Sequence, residues 1–105
     1  MNDKELLELA AKASGLGEVW YLEGFDTPYI GKRYQIGRPI EYKVWRPLDD
    51  DGDALRLAVN LGLLVDFGNA MVIHPIEAIG TGTDPEIATR RAIVLAASEI
   101  GRTMP

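Results

Sequence analysis

Residues 40–62 read IEYKVWRPLDDDGDALRLAVNLG and contain the change from strand to helix that decides the fold. Ile40, Tyr42 and Val44 lie at every second position of the first part, which predicts a strand with one buried and one wetter face. Pro47 then ends the strand, because proline has no N–H to donate to a ladder. Four aspartates precede an apolar run with helical spacing that stops at Gly62. This order predicts a helix whose first turn is capped by carboxylates.

The residues before this stretch predict a first helix and further strands. Residues 3–14 carry a broad apolar face opposite a charged one and end at Ser14 and Gly15, a pattern typical of an amphipathic helix. Residues 18–22 are aromatic and β-branched, which predicts a strand. Turn-forming glycines and prolines fill the interval up to residue 40, and a third short strand is expected near Tyr29 and Ile30.

The residues after Gly62 predict a hairpin. Residues 63–67 and 70–79 have strand patterns and are joined near Gly68 and Asn69, where Asn takes the positive φ that a hairpin turn requires. A His-Pro pair at 74 and 75 is expected to interrupt the later strand.

A third helix is predicted to run from residues 83–86 to about Gly101. Thr83 and Glu86 form a capping box, and Pro85 suits the first turn. The many alanines of this helix imply close approach to the element against which it packs. No internal repeat is evident in the sequence.

The order of elements predicts an α+β fold. Residues 1–105 are expected to form a single domain, roughly α-β-β-(β)-α-β-β-α, with the helices packed on an antiparallel sheet in a sandwich-like arrangement. The chain contains no cysteine, which excludes a disulfide scaffold, a thiolate nucleophile and a thiolate zinc site. The longest apolar run falls far short of a membrane span, and the acidic helical start has no signal-peptide layout. We therefore expect a cytoplasmic protein without membrane contact.

The charge of the chain is unevenly distributed. The formal net charge is −5, but residues 29–46 hold five basic residues and one acidic residue. Residues 20–45 also contain seven of the eight aromatic side chains. This basic, aromatic stretch is the candidate binding surface, and its candidate residues are Tyr29, Lys32, Arg33, Tyr34, Arg38, Lys43 and Trp45. The alternative is an ordinary sheet face, because strands favour Tyr and Trp, and basic side chains keep sheet edges from pairing.

Catalytic and metal sites have little support in the sequence, so no cofactor, metal or catalytic residue is predicted. Asp49, Asp51 and Asp53 alternate as in a calcium loop, but the glycine and glutamate that an EF-hand needs are absent, and helix capping explains them better. His74 is the only histidine, which excludes a site with two imidazoles. Neither serine lies in a nucleophile-elbow pattern.

Two segments carry a resemblance to a known family. Residues 45–54, WRPLDDDGDA, precede an Ala/Leu helix, and residues 83–93, TDPEIATRRAI, precede Ala96 and Ala97. Together they resemble the phage ABA-sandwich family of small proteins from tailed bacteriophages and prophages. The resemblance implies a fold and a phage origin, and no catalytic residue. It also implies structural roles, with Trp45 packing under the helix and the aspartates capping it.

These observations leave several functions open. The first hypothesis is a non-enzymatic phage accessory protein that binds a host or phage protein. The alternative is a module that sequesters a small anionic ligand such as a nucleotide, with aromatic rings stacking a base and basic side chains meeting phosphate. Binding of single-stranded nucleic acid ranks third, because the acidic net charge repels a polyanion. A homodimer is also expected, because small one-domain phage proteins with an open sheet often pair.

Overall fold

The computed structural model describes residues 2–21, 24, 26–33, 39–66, 68, 71–74, 77–80 and 84–105. For residues 32, 33, 39–42, 71, 73, 74 and 77–80 the description covers the backbone alone. Within these ranges three helices and six strands occur, in the order α1 (Asp3–Ser14), β1 (Glu18–Tyr21), β2 (Pro28–Arg33), β3 (Pro39–Val44), α2 (Asp51–Leu61), β4 (Leu64–Asp66), β5 (Met71–His74), β6 (Glu77–Gly80) and α3 (Pro85–Thr103). The predicted α+β fold is confirmed.

The described strands form two antiparallel sheets of three strands each. Sheet 1 has the order β1-β2-β3 and sheet 2 the order β4-β5-β6. Residues 70–79 were predicted as one interrupted strand, whereas the structure has two strands that pair with each other, with His74 opposite Glu77. The sequence has a proline between these two strands, and a residue without an N–H disfavours one continuous ladder through it. The order α-β-β-β therefore occurs twice, although no repeat is evident in the sequence.

The ends of α2 follow the predicted capping. Asp50 is the N-cap, and its carboxylate accepts a hydrogen bond of 2.8 Å from the backbone N–H of Asp53. Gly62 ends the helix with φ of 64°, the left-handed conformation that costs glycine least. At the start of α3 the cap is Asp84, which accepts from the N–H groups of Glu86 and Ile87. The predicted cap Thr83 lies outside the described residues.

Helix α3 lies at the centre of the molecule. It packs against α1, α2, β5 and β6, and it buries residues on most of its circumference. The closest approach is at Gly101, where a Cβ atom would overlap the backbone carbonyl of Leu9 in α1. The predicted close packing of the alanine-rich helix is therefore present. The core cluster consists of Leu6, Leu7, Ala10, Ala11, Ile30, Trp45, Ala54, Leu57, Ala58, Val72, Ala92, Ile93, Val94, Ala96 and Ala97.

Candidate functional site

A row of apolar side chains crosses one face of sheet 1. Trp20 of β1 lies opposite Tyr29 of β2, which in turn lies opposite Val44 of β3. Directly paired residues project from the same side of an antiparallel sheet, so these three form one cross-strand row. The rings of Trp20 and Tyr29 are stacked, with centroids 5.2 Å apart and planes inclined by 22°. Val44 is 44% exposed, and the two rings are half-buried. We refer to Trp20, Tyr29 and Val44 as the aromatic row.

The opposite face of sheet 1 belongs to the core. Val19 pairs with Ile30, and side chains alternate along a strand, so both point away from the aromatic row. Ile30 is 3% exposed, and Val19 packs against the same core cluster. Sheet 1 therefore has one face that stabilises the fold and another that carries partly exposed aromatic rings.

The predicted binding residues lie in different environments. Tyr29 is in the aromatic row. Lys43 is exposed, and its position beside Val44 places it on the other face of β3. Trp45 is only 2% exposed and belongs to the core cluster, so nearly all of its side chain is closed to a ligand.

The remaining predicted residues are only partly described. Lys32 and Arg33 lie in β2, where the pairing with β3 shifts register between them. Tyr34 and Arg38 lie outside the described residues. The structure therefore brings Tyr29 together with two residues that were not among the predicted site residues, Trp20 and Val44.

Tyr21 has a hydroxyl group that lies buried without a hydrogen-bond partner among the described residues. The ammonium group of Lys4 lies over its ring, 4.7 Å from the centroid. Burial raises the pKa of the Tyr21 hydroxyl above its ordinary value, and the nearby carboxylates of Glu8, Asp26 and Asp3 raise it further. The phenol is therefore held in its neutral form.

The acidic turn before α2 makes internal contacts. Asp53 is 8% exposed, and its carboxylate accepts from the backbone N–H of Arg46 at 2.9 Å and from the guanidinium of Arg56 at 2.7 Å. Asp51 pairs with Arg90, which also donates to the carbonyl oxygen of Leu48 at 2.9 Å. These contacts hold the strand-to-helix turn together. In the described part of the chain, no three His, Asp or Glu residues come together as a candidate metal site.

Helix α2 presents an apolar ridge that the sequence did not indicate. Leu55 was predicted within the same apolar run as Ala54 and Leu57, but it is 52% exposed. Val59, one turn further on, is 71% exposed. Residues four apart lie on one side of a helix, so Leu55 and Val59 form a single strip, which we call the α2 ridge. Once the structure shows that Leu57 is buried, a helical wheel places Leu55 and Val59 on the opposite side of α2.

A groove lies on each side of the α2 ridge. The first has a volume of about 320 Å³ and lies against α3, with Pro85, Thr89 and Ile93 in its wall. The second has a volume of about 450 Å³, and Leu16 and Lys43 line it on the side away from α2. Leu55 borders both grooves. The ridge therefore stands between two concave, largely apolar surfaces.

Comparison of this chain with protein-family models, curated proteins and solved structures found no match. None of the described helices combines the length and the apolar character that crossing a bilayer requires.

Proposed function

We propose that this chain is a non-enzymatic accessory protein of a tailed phage or prophage. In this proposal it acts in the host cytoplasm, where it binds a host or phage protein and modulates host processes or defence. The partner contacts the outer face of sheet 1 through the aromatic row. The observation that carries the proposal is the half-buried Trp20–Tyr29 pair beside the exposed Val44.

Aromatic side chains of this kind suit a protein interface. Tyr and Trp supply large contact areas with few rotatable bonds, so they lose little conformational entropy on binding. The row also crosses three strands of a sheet that is held rigid from behind by Val19 and Ile30. A pre-ordered surface lowers the entropic cost of association.

The shape of the surface favours a protein over a small ligand. Small-molecule sites are concave and enclose most of the ligand. Neither Trp20 nor Tyr29 lines either of the grooves beside α2, and each ring already covers a face of the other. A nucleotide base would stack only on an outer ring face. Calorimetry against a panel of nucleotides tests this alternative, and a measurable heat of binding at any of them would favour it.

The experiment for the proposed function is affinity capture from a host lysate with the immobilised chain. We expect one specific partner to be recovered by the native sequence and lost by Val44→Glu, which places a charge in the aromatic row. The control is Ile87→Glu, which introduces the same charge at a residue of α3 that is 55% exposed and lies outside the aromatic row, and it should retain the partner.

Two outcomes would overturn the proposal. If Val44→Glu keeps the partner while remaining folded by circular dichroism, the aromatic row is not the binding face. If no specific partner is recovered and the purified protein turns over a substrate, the chain is an enzyme instead.

A further inference from the structure

We propose that this chain forms a twofold-symmetric dimer through the open edge of sheet 1, in which β3 of one copy pairs antiparallel with β3 of a second copy. The two three-stranded sheets then join into one sheet of six strands. The inference does not depend on the proposed function, because the aromatic row lies on the outer face of sheet 1 and the pairing uses its edge.

The edge of β3 carries backbone groups that point away from sheet 1. β3 is the last strand of the sheet, and among the described elements it packs extensively on β2 alone, whereas β1 at the other end also packs on α1. The N–H of Trp45, just after β3, donates toward β2, to the carbonyl oxygen of Pro28 at 2.9 Å. Backbone groups alternate in direction along a strand, so those of Tyr42 and Val44 point to the open side. An unpaired row of this kind is a template for another strand.

The sequence of β3 is complementary to itself in charge. In an antiparallel pairing centred on Tyr42, Glu41 of each copy takes the position opposite Lys43 of the other, and the twofold axis generates both contacts. Opposite charges at directly opposite positions stabilise an antiparallel pair. Glu41 is also opposite Lys32 in the register of β2 with β3. In the joined sheet it therefore stands between two lysine positions, one from each copy.

Lys43 selects this register among the alternatives. A pairing centred on Lys43 would use the same backbone groups, but it would place the two lysines opposite each other, where like charges are destabilising. A lysine on an edge strand ordinarily keeps other strands from pairing there. In β3 the lysine opposes such pairing except where a carboxylate faces it, as in the pairing centred on Tyr42.

Lys43 is available for this contact. Its side chain is exposed and forms no ion pair with a described residue. Asp53 lines the same groove as Lys43, but its carboxylate already accepts from the backbone N–H of Arg46 and from the guanidinium of Arg56. The charge of Lys43 is therefore not compensated within the described part of its own chain.

The length of the contact sets the strength of the dimer. β3 has six residues, whereas a standard stable interface takes about 20–30 residues from each partner. We therefore expect a reversible dimer with a dissociation constant in the high micromolar range.

Sedimentation equilibrium between about 20 µM and about 1 mM, a range that brackets this affinity, tests the proposal. The weight-average mass of the native chain should rise from that of a monomer toward twice that value. Glu41→Lys alone and Lys43→Glu alone should each weaken association by about tenfold or more, because either change places like charges opposite each other at both contacts. Circular dichroism checks that each variant is folded.

An equimolar mixture of these two variants is the matched control. It should associate about as tightly as the native chain, because the lysines of one variant then lie opposite the glutamates of the other. Recovery in the mixture separates a lost contact from a damaged fold.

A single cysteine tests the position of the twofold axis. The native chain has no cysteine, so Tyr42→Cys introduces one thiol per copy, at the axis. Directly paired Cα atoms about 5.5 Å apart lie within the range of a disulfide. Under mild oxidation Tyr42→Cys should form crosslinked dimers at least about tenfold faster than Ile87→Cys, at a residue of α3 that is 55% exposed.

Three outcomes would overturn the proposal. A native chain that remains monomeric at the highest concentration has no such dimer. A mixture that associates no better than either variant alone contradicts the pairing of Glu41 with Lys43. A Tyr42→Cys variant that crosslinks no faster than Ile87→Cys contradicts a twofold axis at Tyr42.

Discussion

Asp53 stabilises the turn that connects β3 to α2. Its carboxylate is nearly buried and accepts from the backbone of Arg46 before the helix and from the side chain of Arg56 within it. A buried hydrogen-bonded carboxylate is costly to remove, because its donors then lose their partner. The four aspartates look alike in the sequence, but their contacts differ.

The substitution Asp53→Ala should lower the free energy of unfolding by about 1–3 kcal/mol, since it leaves the N–H of Arg46 without its acceptor. Urea denaturation measures the change. Asp49→Ala, at the exposed aspartate of the same turn, should stay within about 0.5 kcal/mol of the native chain. Equal losses in the two variants would contradict this role for Asp53.

Tyr21 gives the molecule a sensitivity to alkaline pH. Because the folded-state pKa of Tyr21 is raised by burial, the folded state holds the phenolic proton more tightly than the unfolded state. The contribution of Tyr21 to the free energy of unfolding is therefore complete below about pH 10, the pKa of tyrosine in the unfolded state. It is lost as the pH rises through the higher pKa of Tyr21 in the folded state.

In the variant Tyr21→Phe, the free energy of unfolding should fall less steeply above about pH 10 than in the native chain. At neutral pH the variant should be as stable as the native chain or slightly more so, because the buried hydroxyl that it removes has no partner. Chemical denaturation across the pH range measures both effects. A strongly destabilised Tyr21→Phe would mean that the hydroxyl does have a stabilising contact.

At the scale of elements, the backbones of α1 and α3 approach each other closely where the two helices meet. Gly101 lies against the carbonyl of Leu9, and Ala97 and Ala10 are also fully buried. Small side chains allow two helix backbones to approach closely, so the alanine content of α3 reflects the geometry of this crossing rather than helix propensity alone.

Gly101→Ala should therefore destabilise the protein by about 3 kcal/mol or more, beyond the usual range for overpacking, because the new methyl group meets backbone that cannot rotate away. Elsewhere in a helix the same change is stabilising by about 1 kcal/mol. Thermal unfolding measures the difference, with Arg102→Ala at the neighbouring exposed residue as control. A neutral or stabilising Gly101→Ala would show that α1 and α3 separate without cost.

At the scale of the whole molecule, the sequence predicted the order of elements more fully than their connections. Helix ends at Gly15 and Gly62 were found because a left-handed glycine cap is a local signal. The separation of β5 from β6 was missed, because one strand interrupted by a proline and two strands separated by a proline have the same sequence pattern. The division into two sheets means that each strand pairs only with its neighbours in the sequence and that no pairing joins β3 to β4 across α2, which no local pattern encodes.

The candidate site was predicted less completely than the fold. The basic, aromatic composition of residues 20–46 indicated the region, and Tyr29 lies in the aromatic row. The composition does not show which face of each strand is turned toward the core. In the structure, the strand register places Tyr29 and Lys43 on opposite faces of sheet 1. Trp45 follows β3 and turns into the core, a position that aromatic character alone does not distinguish from the surface. The α2 ridge could be identified only from the packing of α2 against its neighbours, which shows that Leu55 and Val59 stay exposed.

The packing of α1 on α3 also sets an order of events during synthesis. Lys12 of α1 donates to the carbonyl of Met104, 92 residues away in the chain, and Asp3 pairs with Arg91. A twelve-residue helix is marginally stable on its own in water. During synthesis α1 emerges from the ribosome well before α3, the helix against which it mainly packs. Until α3 follows, the apolar face of α1 lacks its main cover, and transiently exposed apolar surface of this kind promotes aggregation.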